Sequence, residues 1–384
     1  MSPPDWRESG VLIVGGGIAG LALAGALRRI GVRCELVERA DAWAPVGAGI
    51  VLGVNAMRVM EGLGLADSLA ARSKPLEEMV ITDSRDRRLA RTDLADLRPR
   101  FGPSLAMHRA VLHDVLLEAA QGIPIRMGSS VDAITLGDEA AEVRFSNGDA
   151  GRFGLVVGCD GLHSRVRELV FGRRALRYSG YTCWRMVVDW KDDALPTQEM
   201  WGVGKRFGMV PIGDRRVYCF AVIIAPPGQP DPREGRIERL RTRFAEFGGA
   251  VVPLLARLQA PEELIQNDLH EIIQRPWFLG KGMIVGDAAH GMMPDMGQGA
   301  AMALEDVAVL AELIATGEPL ADVLESWFAR REPRVRWVQN QSRRVGKIGQ
   351  WENPLACRAR NELARWLPDS LTQRILIRMA EQIV

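Results

Sequence analysis

Several things are scarce in this 384-residue chain, and each scarcity narrows what it does. The formal net charge is only +1, so no global field selects nucleic acid or acidic substrates. Cysteines number five, an odd count with no CxxC pair; Cys34, Cys159, Cys183, Cys219 and Cys357 read as reduced, mostly buried thiols. The five histidines show no ligand spacing with Cys or carboxylates, so no metal site is expected. No uninterrupted apolar run approaches about 18 residues, which argues against a transmembrane helix. Met1 to Gly10 is polar and has none of the three regions of a signal peptide, so a cytoplasmic location is expected. No Ser-His-Asp or Cys-His arrangement supplies a protein nucleophile. Repeats and low-complexity stretches are absent too.

What is present is globular. The 47% hydrophobic and 25% charged content is ordinary, and the length allows two domains with sizeable cores. Val11 to Val14 is a short apolar run that ends in Gly15-Gly16-Gly17 and reads as a buried strand entering a tight turn. Ile18 to Arg29 is rich in Ala and Leu and reads as a helix, stopped by Gly31. Val32 to Val37 is the next strand, closed by Glu38. This βαβ opening implies a parallel, doubly wound sheet. Ala106 to Ala120 reads as helical, Glu142 to Phe145 before Asn147-Gly148 as a hairpin arm, and Leu155 to Val157 as a buried strand. From Tyr181 to Ile224 three strand-like runs follow with no clear helix between them, which predicts an antiparallel sheet. Helices are predicted at 236–247 and 251–258, a strand at Gly282 to Val285, a long helix at Gly299 to Ala315, and helix from Leu320 onward.

Three motifs carry the chemistry. In Gly15-x-Gly17-x-x-Gly20 the first glycine permits the turn, the second admits a pyrophosphate, and the third lets helix and strand pack. Ile18 and Ala19 open the helix, whose N-terminus favours phosphate, and Glu38 lies where an acid binds ribose hydroxyls, with Arg39 beside it. Alone, this motif does not separate NAD from FAD. The second motif runs from Gly158 through Asp160 and Ser164 to Arg167, after a buried strand. The third is Gly286-Asp287-Ala288-Ala289-His290, then Pro294-Asp295-Met296-Gly297-Gln298-Gly299-Ala300 opening a helix. An Asp at a strand end can accept from ribityl hydroxyls, and glycine-flanked N–H groups can stabilise charge on a reduced isoalloxazine.

In this order and at these separations, the motifs resemble the single-component (group A) flavoprotein aromatic hydroxylases of the para-hydroxybenzoate hydroxylase type. The resemblance covers roughly residues 10–345. It implies FAD, with Glu38 on the adenosine ribose, Asp287 on the ribityl chain and Arg109 in contact with the cofactor. Val46-Gly47-Ala48-Gly49-Ile50 matches the family's loop beside the flavin, and Asp160 and Arg167 its motif associated with FAD and NAD(P)H. There is no second GxGxxG followed by an acid, which argues against the two-dinucleotide reductases. Within the family the chain is similar to urate hydroxylases, salicylate-hydroxylase-like and zeaxanthin-epoxidase-like proteins. The implied fold class is α/β: a Rossmann-like FAD-binding domain with a parallel sheet, interrupted by a smaller, mostly antiparallel substrate domain, plus C-terminal helices. The expected borders are 1–76, 100–178 and 266–330 for the FAD-binding domain, 77–99 and 179–265 for the substrate domain, and 331–384 for a helical segment. The implied activity is NADPH- or NADH-dependent hydroxylation of an aromatic or polycyclic small molecule with O2, through a flavin C4a-hydroperoxide. Epoxidation or Baeyer–Villiger oxidation on the same scaffold, or a flavin-dependent reductase of an isoprenoid-type substrate, are the alternatives. A monomer or homodimer with no nucleic-acid partner is expected.

On the substrate side, Trp184, Met186, Trp201, Phe207, Met209, Tyr218 and Phe220 are candidates to line a flat apolar pocket, or simply sheet core. Strand alternation puts Tyr218 and Phe220 on one face and Val217 and Cys219 on the other. Tyr218 is a candidate to orient substrate. Arg206 is either an anion-binding residue or a solvated loop arginine. Asp295 is either a base that acts on substrate or the cap of the helix near Gly299. His290 reads as a packed, hydrogen-bonded residue. Residues 330–384 carry twelve Arg/Lys against five Asp/Glu, an amphipathic stretch that suits a membrane surface, a substrate contact or plain packing.

Overall fold

The computed structural model describes residues 6–44, 48–191, 195–368, 373–374 and 377–380. Val11–Val14 is buried throughout and lies at the heart of a six-stranded sheet. In order across the sheet the strands are Phe278–Leu279, Gly282–Ile284, Leu155–Gly158, Val11–Val14, Cys34–Val37 and Ile125–Arg126. All pair in parallel except the outermost Phe278–Leu279. Such strands need apolar side chains on both faces, because helices cover both. Ile18–Arg29 packs against one side together with Gly299–Ala315. Val11–Val14 is flanked by the chain's second strand on one side and by Leu155–Gly158 on the other, so strand order reverses there. Ligands bind in the crevice beyond the carboxyl ends of strands at such a reversal.

The second layer is a seven-stranded sheet, in the order Ile265–Glu271, Arg177–Asp189, Arg216–Ile224, Lys205–Gly213, Gln198–Trp201, Glu78–Asp83 and Arg88–Asp93. It is antiparallel except where Gln198–Trp201 runs parallel to Glu78–Asp83. The expected antiparallel sheet is therefore present, and it recruits a hairpin from the 77–99 segment. That hairpin's turn hid itself from sequence reading because it contains no Gly or Pro. Asp86 takes φ 64°, and the Asp83 side chain accepts from the Arg85 and Arg87 N–H groups to hold the turn. The strand Ile265–Glu271 straddles the expected border at 265. A second departure lies at Ala106. Residues Leu105–His108 form a strand paired with Gly49–Leu52, and the helix begins only at Arg109. His108 Nδ1 accepts from the Ala110 N–H and so caps that helix.

The outer face of the seven-stranded sheet buries Trp184, Met186, Phe207, Met209, Val217 and Cys219 under the helices Arg236–Arg243 and Val251–Ala256. The chain then closes with Leu320–Gly349, a 30-residue helix, and Pro354–Trp366, capped by the Asn353 side chain. Among the described residues no helix is long and apolar enough to cross a membrane.

Candidate functional site

All three motifs reach the carboxyl ends of adjacent strands. Gly15 sits at φ 106°, and a Cβ there would stand 2.7 Å from the Cys159 carbonyl oxygen, so the first motif presses directly on the second. A Cβ at Gly20 would stand 1.9 Å from the Gly15 carbonyl oxygen, which enforces glycine at the helix–strand contact. Gly17 is different: nothing lies within 4 Å of where its Cβ would be. The Ile18–Arg29 helix has no side-chain cap, so the N–H groups of Ile18, Ala19 and Gly20 face that open space. This is the cradle a pyrophosphate requires. Glu38 is held ready at the next strand's end, where its two carboxylate oxygens accept from the Gly16 and Ala40 N–H groups at 2.7 and 2.9 Å. Each oxygen keeps a lone pair for a ribose hydroxyl. Arg39 and Arg109 are exposed and make no side-chain hydrogen bond among the described residues.

Sequence reading did not single out Trp43 and His113. The Trp43 indole lies against Gly16, at 2.4 Å from a built Cβ, and stacks edge-on with His113 at 5.0 Å. His113 Nε2 donates to the Gly16 carbonyl oxygen at 3.2 Å. Together they brace the phosphate turn from the Glu38 side.

The second motif is built around Asp160. Its Oδ2 accepts from the Arg165 and Val166 N–H groups, at 2.6 and 3.0 Å, while its buried Oδ1 has no partner. Arg167 does not point outward. It is 4% exposed, and its guanidinium donates to the Ala288 carbonyl at 2.8 Å and the Leu162 carbonyl at 2.7 Å. The arginine expected on a nucleotide thus ties the second motif to the third.

In the third motif Gly286 takes φ 59° and turns Asp287 out into the open, while Ala288, Ala289 and His290 are buried. The Asp287 Oδ1 lies 3.8 Å from a built Cβ of Gly299, so the acid stands at the start of the Gly299–Ala315 helix. That helix has no side-chain cap, leaving the N–H groups of Gly299 and Ala300 available beyond Gly297, at φ 62°. The Gln298 side chain turns inward instead and accepts from Asn55 Nδ2 at 2.8 Å.

Beneath this surface lies a buried ionic cluster that the sequence signals only faintly, as adjacent acids inside an apolar helix. Asp306 Oδ2 accepts from the Gly286 N–H at 3.0 Å and from His290 Nε2 at 2.6 Å. Arg331, 1% exposed, bridges Asp306 and Glu305, and Arg334 adds a second cation on Glu305. Burial opposes ionisation of Asp306, but His290 and Arg331 outweigh it and hold the carboxyl below its usual range. His290 is packed and hydrogen-bonded as expected, 5.0 Å from the Trp277 ring.

The substrate side faces these helix starts. Tyr218, Phe220 and Val222 alternate onto the inner face of the sheet, opposite Val187, Arg185 and Cys183. Phe220, Val222, Cys183, Leu269 and Met293 form one apolar cluster with Tyr181. Trp184, Met186, Phe207 and Met209 belong to the opposite face and do not line it. Gly49 packs on Tyr218 so closely that a Cβ would stand 2.3 Å from the tyrosine Cβ; Val46 and Gly47 of the expected flavin loop lie outside the described residues. Burial pushes the Tyr218 phenol up to about 12, against the opposing influence of the Arg185 guanidinium that hydrogen-bonds it. Its hydroxyl is therefore neutral at pH 7. Arg185 went unnoticed in the sequence because nothing there marks an inward-facing arginine on a strand.

The structure corrects both readings of Arg206 and the cap reading of Asp295. Arg206 is neither open to an anion nor solvated: it is 2% exposed and donates to Asp295 Oδ1 and to Glu199 Oε1, the latter at 3.1 Å. Asp295 caps no helix; its side chain is fully buried in this pair. Burial and Glu199 together raise its carboxyl above the usual range despite Arg206.

The family model described as FAD binding domain matches residues 8–342. The chain is 38% identical to the 2-heptyl-3-hydroxy-4(1H)-quinolone synthase of Pseudomonas aeruginosa, over 95% of this chain and 96% of that protein. It is 37% identical to the aurachin C monooxygenase/isomerase of Stigmatella aurantiaca, over 95% and 97%. Among solved structures it superposes on Klebsiella pneumoniae HpxO complexed with FAD and uric acid with a TM-score of 0.89, at 27% identity over 98% and 97% of the two chains.

Proposed function

The chain belongs to the FAD binding domain family and is an FAD-dependent aromatic monooxygenase, and on that premise we propose that it hydroxylates a fused nitrogen heteroaromatic of the 4(1H)-quinolone type with NAD(P)H and O2. The observation that carries the substrate class is the largely apolar inner face of the sheet. Arg206 is paired with Asp295 and Glu199, while Arg185 is hydrogen-bonded to Tyr218 and Asn267 and keeps its charge. What remains is apolar surface from Phe220, Val222, Leu269 and Met293 and a neutral phenol. A neutral, flat ring bearing a carbonyl suits that lining better than a free carboxylate or a urate anion, because the buried cation Arg206 is already paired and Arg185 already donates to Tyr218 and Asn267. The 38% identity to a quinolone synthase over nearly the whole of both chains supports the same class.

Reduced FAD, when bound, activates O2 and supplies the oxygen atom transferred to the ring. The residues of this chain do the rest. Ile18, Ala19 and Gly20 hold the pyrophosphate by their N–H groups, Glu38 accepts from the ribose and Asp287 from the ribityl chain. Arg39 and Arg109 offer outward cations on the phosphate side. Gly299 and Ala300 present N–H groups, at the positive end of a helix, to the charge that develops on the reduced ring. Asp160 and Arg167 fix the geometry of the turn between the second and third motifs. Phe220, Val222 and Met293 exclude water and press the substrate flat. The Tyr218 hydroxyl donates to the substrate carbonyl and so sets which carbon is presented. The Arg206–Asp295 pair closes the far end of the apolar face.

The test is a panel of 2-alkyl-4(1H)-quinolones, salicylate and urate, scored by substrate-stimulated NAD(P)H oxidation and by mass spectrometry of the product. A quinolone product sixteen mass units heavier, matched to oxygen consumed, is expected. Coupled turnover of urate or salicylate with silent quinolones would sink the substrate class.

A further inference from the structure

The Arg206–Asp295 pair is roofed by glycines of the Leu320–Gly349 helix. A Cβ on Gly346 would stand 2.6 Å from Asp295 Oδ2 and 2.7 Å from its Cγ. One on Gly349 would stand 2.8 Å from Arg206 Cδ and 3.4 Å from its Nε. At such distances a side chain would force the pair to shift, so helix and ion pair meet through bare Cα atoms. Asp295 Oδ2 and Arg206 Nε are the two atoms of the pair that are buried without a hydrogen-bond partner, and both lie against these glycines. Wherever the helix end moves, the pair must follow.

The helix end is itself tied down. Arg360, 5% exposed on the Pro354–Trp366 helix, donates to the carbonyls of Ile348 at 2.8 Å, Gly349 at 3.1 Å and Gly202 at 3.4 Å. Its guanidinium also stacks over the Trp201 ring at 5.0 Å. Trp201 Nε1 donates at 2.8 Å to Glu199 Oε1, the same oxygen that receives Arg206. Arg360 therefore reaches the pair by two routes, through Gly349 and through Trp201 and Glu199.

We propose that the C-terminal segment completes the substrate site: Gly346 and Gly349 are positioning residues that set where the Asp295–Arg206 pair stands, and Arg360 locks them there. The inference rests on the pair closing the apolar face, as argued above. It gives the second half of the basic C-terminal stretch a role, since its buried Arg360 serves the site and not the surface.

The groups facing Asp295 are Arg206 and Glu199 from adjacent strands and Tyr181 and Cys183 from the strand beyond Arg216–Ile224, with Arg360 beyond Gly349. The experiment compares Gly346→Ala, Asp295→Asn and the double variant, each loaded with FAD. The Kd of a 2-alkyl-4(1H)-quinolone is read from the flavin absorbance shift, alongside product per NAD(P)H and its pH profile. Alanine is otherwise the better helix former, so any loss is not a helix defect. Gly346→Ala is expected to keep its FAD, weaken substrate binding about 10-fold or more and move the pH profile. It should add nothing to Asp295→Asn. Wild-type Kd and pH profile in Gly346→Ala, or full additivity with Asp295→Asn, would overturn the proposal. A silent Asp295→Asn overturns the role of the pair as well, so the two failures are distinguishable. If Gly346→Ala does not fold, Arg360→Met enters the same cycle, with Arg360→Lys expected to restore part of the binding; Arg360→Met with wild-type Kd overturns the proposal equally.

Discussion

The cofactor half and the substrate half of this molecule are built on opposite rules. Around the strand ends at Gly15, Cys159 and Gly286, the proposed recognition rests mostly on backbone: N–H groups at two uncapped helix starts, with glycine required by contacts as short as 1.9 Å. On the sheet at 177–224 the proposed recognition is by side chains, and the buried charges Arg206, Asp295 and Glu199 satisfy each other before any substrate arrives. Backbone recognition is tied to glycine and strand spacing and leaves a linear imprint. Side-chain recognition draws on segments as far apart as Glu199, Asp295 and Gly349, and leaves none.

The sharpest way to break this contrast is through the cluster beneath the third motif, where the cofactor half does depend on side chains. Arg331→Met would leave Glu305 and Asp306 with a lost partner in the core, and about 3–5 kcal/mol of stability should go with it. The melting temperature reports this; an unchanged value would show that Arg334 and His290 suffice. The acid side of the stability curve should move as well. The Asp306 carboxyl is held below its usual value, so its contribution is present above about pH 4 and is lost as pH falls through the lowered value. Removing Arg331 moves that loss to higher pH.

Gly20→Ala comes next. The new Cβ meets the Gly15 carbonyl oxygen, and overpacking of about 1–3 kcal/mol is expected with loss of yellow colour on purification. Asp287→Ala disturbs no packing because the side chain is exposed, yet it should also purify with little FAD. Full flavin content in Asp287→Ala, with a normal melting temperature, would show that backbone alone holds the cofactor. Arg206→Gln sharpens the other side of the contrast. It should keep its FAD and lose substrate affinity, measured by the same absorbance titration; loss of flavin instead would place the pair in the cofactor half.

The imprint explains what was legible. The βαβ opening, the Gly299–Ala315 helix and the inner face of Tyr218 and Phe220 follow from period and punctuation, which are local. The Glu78–Asp93 hairpin escaped because an Asp side chain made its turn. Arg167 carries a motif position whose chemistry looks outward in sequence, but only packing shows it spent on two carbonyls. Arg206 and Asp295 were both legible as important and neither as partners, because 89 positions separate them.

Tyr218→Phe is the smallest and most specific change. The ring stays, so its packing on Gly49 and Phe220 is kept, and only the hydroxyl is removed. Because the phenol is neutral at pH 7, no charge is lost, and a neutral hydrogen bond is worth about 0.5–1.5 kcal/mol, or roughly 2- to 10-fold in KM. The same change releases Arg185 from the phenol, leaving Asn267 as its hydrogen-bond partner among the described residues. If an available cation is what a carboxylate substrate needs, Tyr218→Phe should gain weak binding of salicylate as it loses quinolone. Measured as paired flavin titrations, a loss of quinolone with no gain of salicylate would mean that Arg185 stays out of a carboxylate's reach.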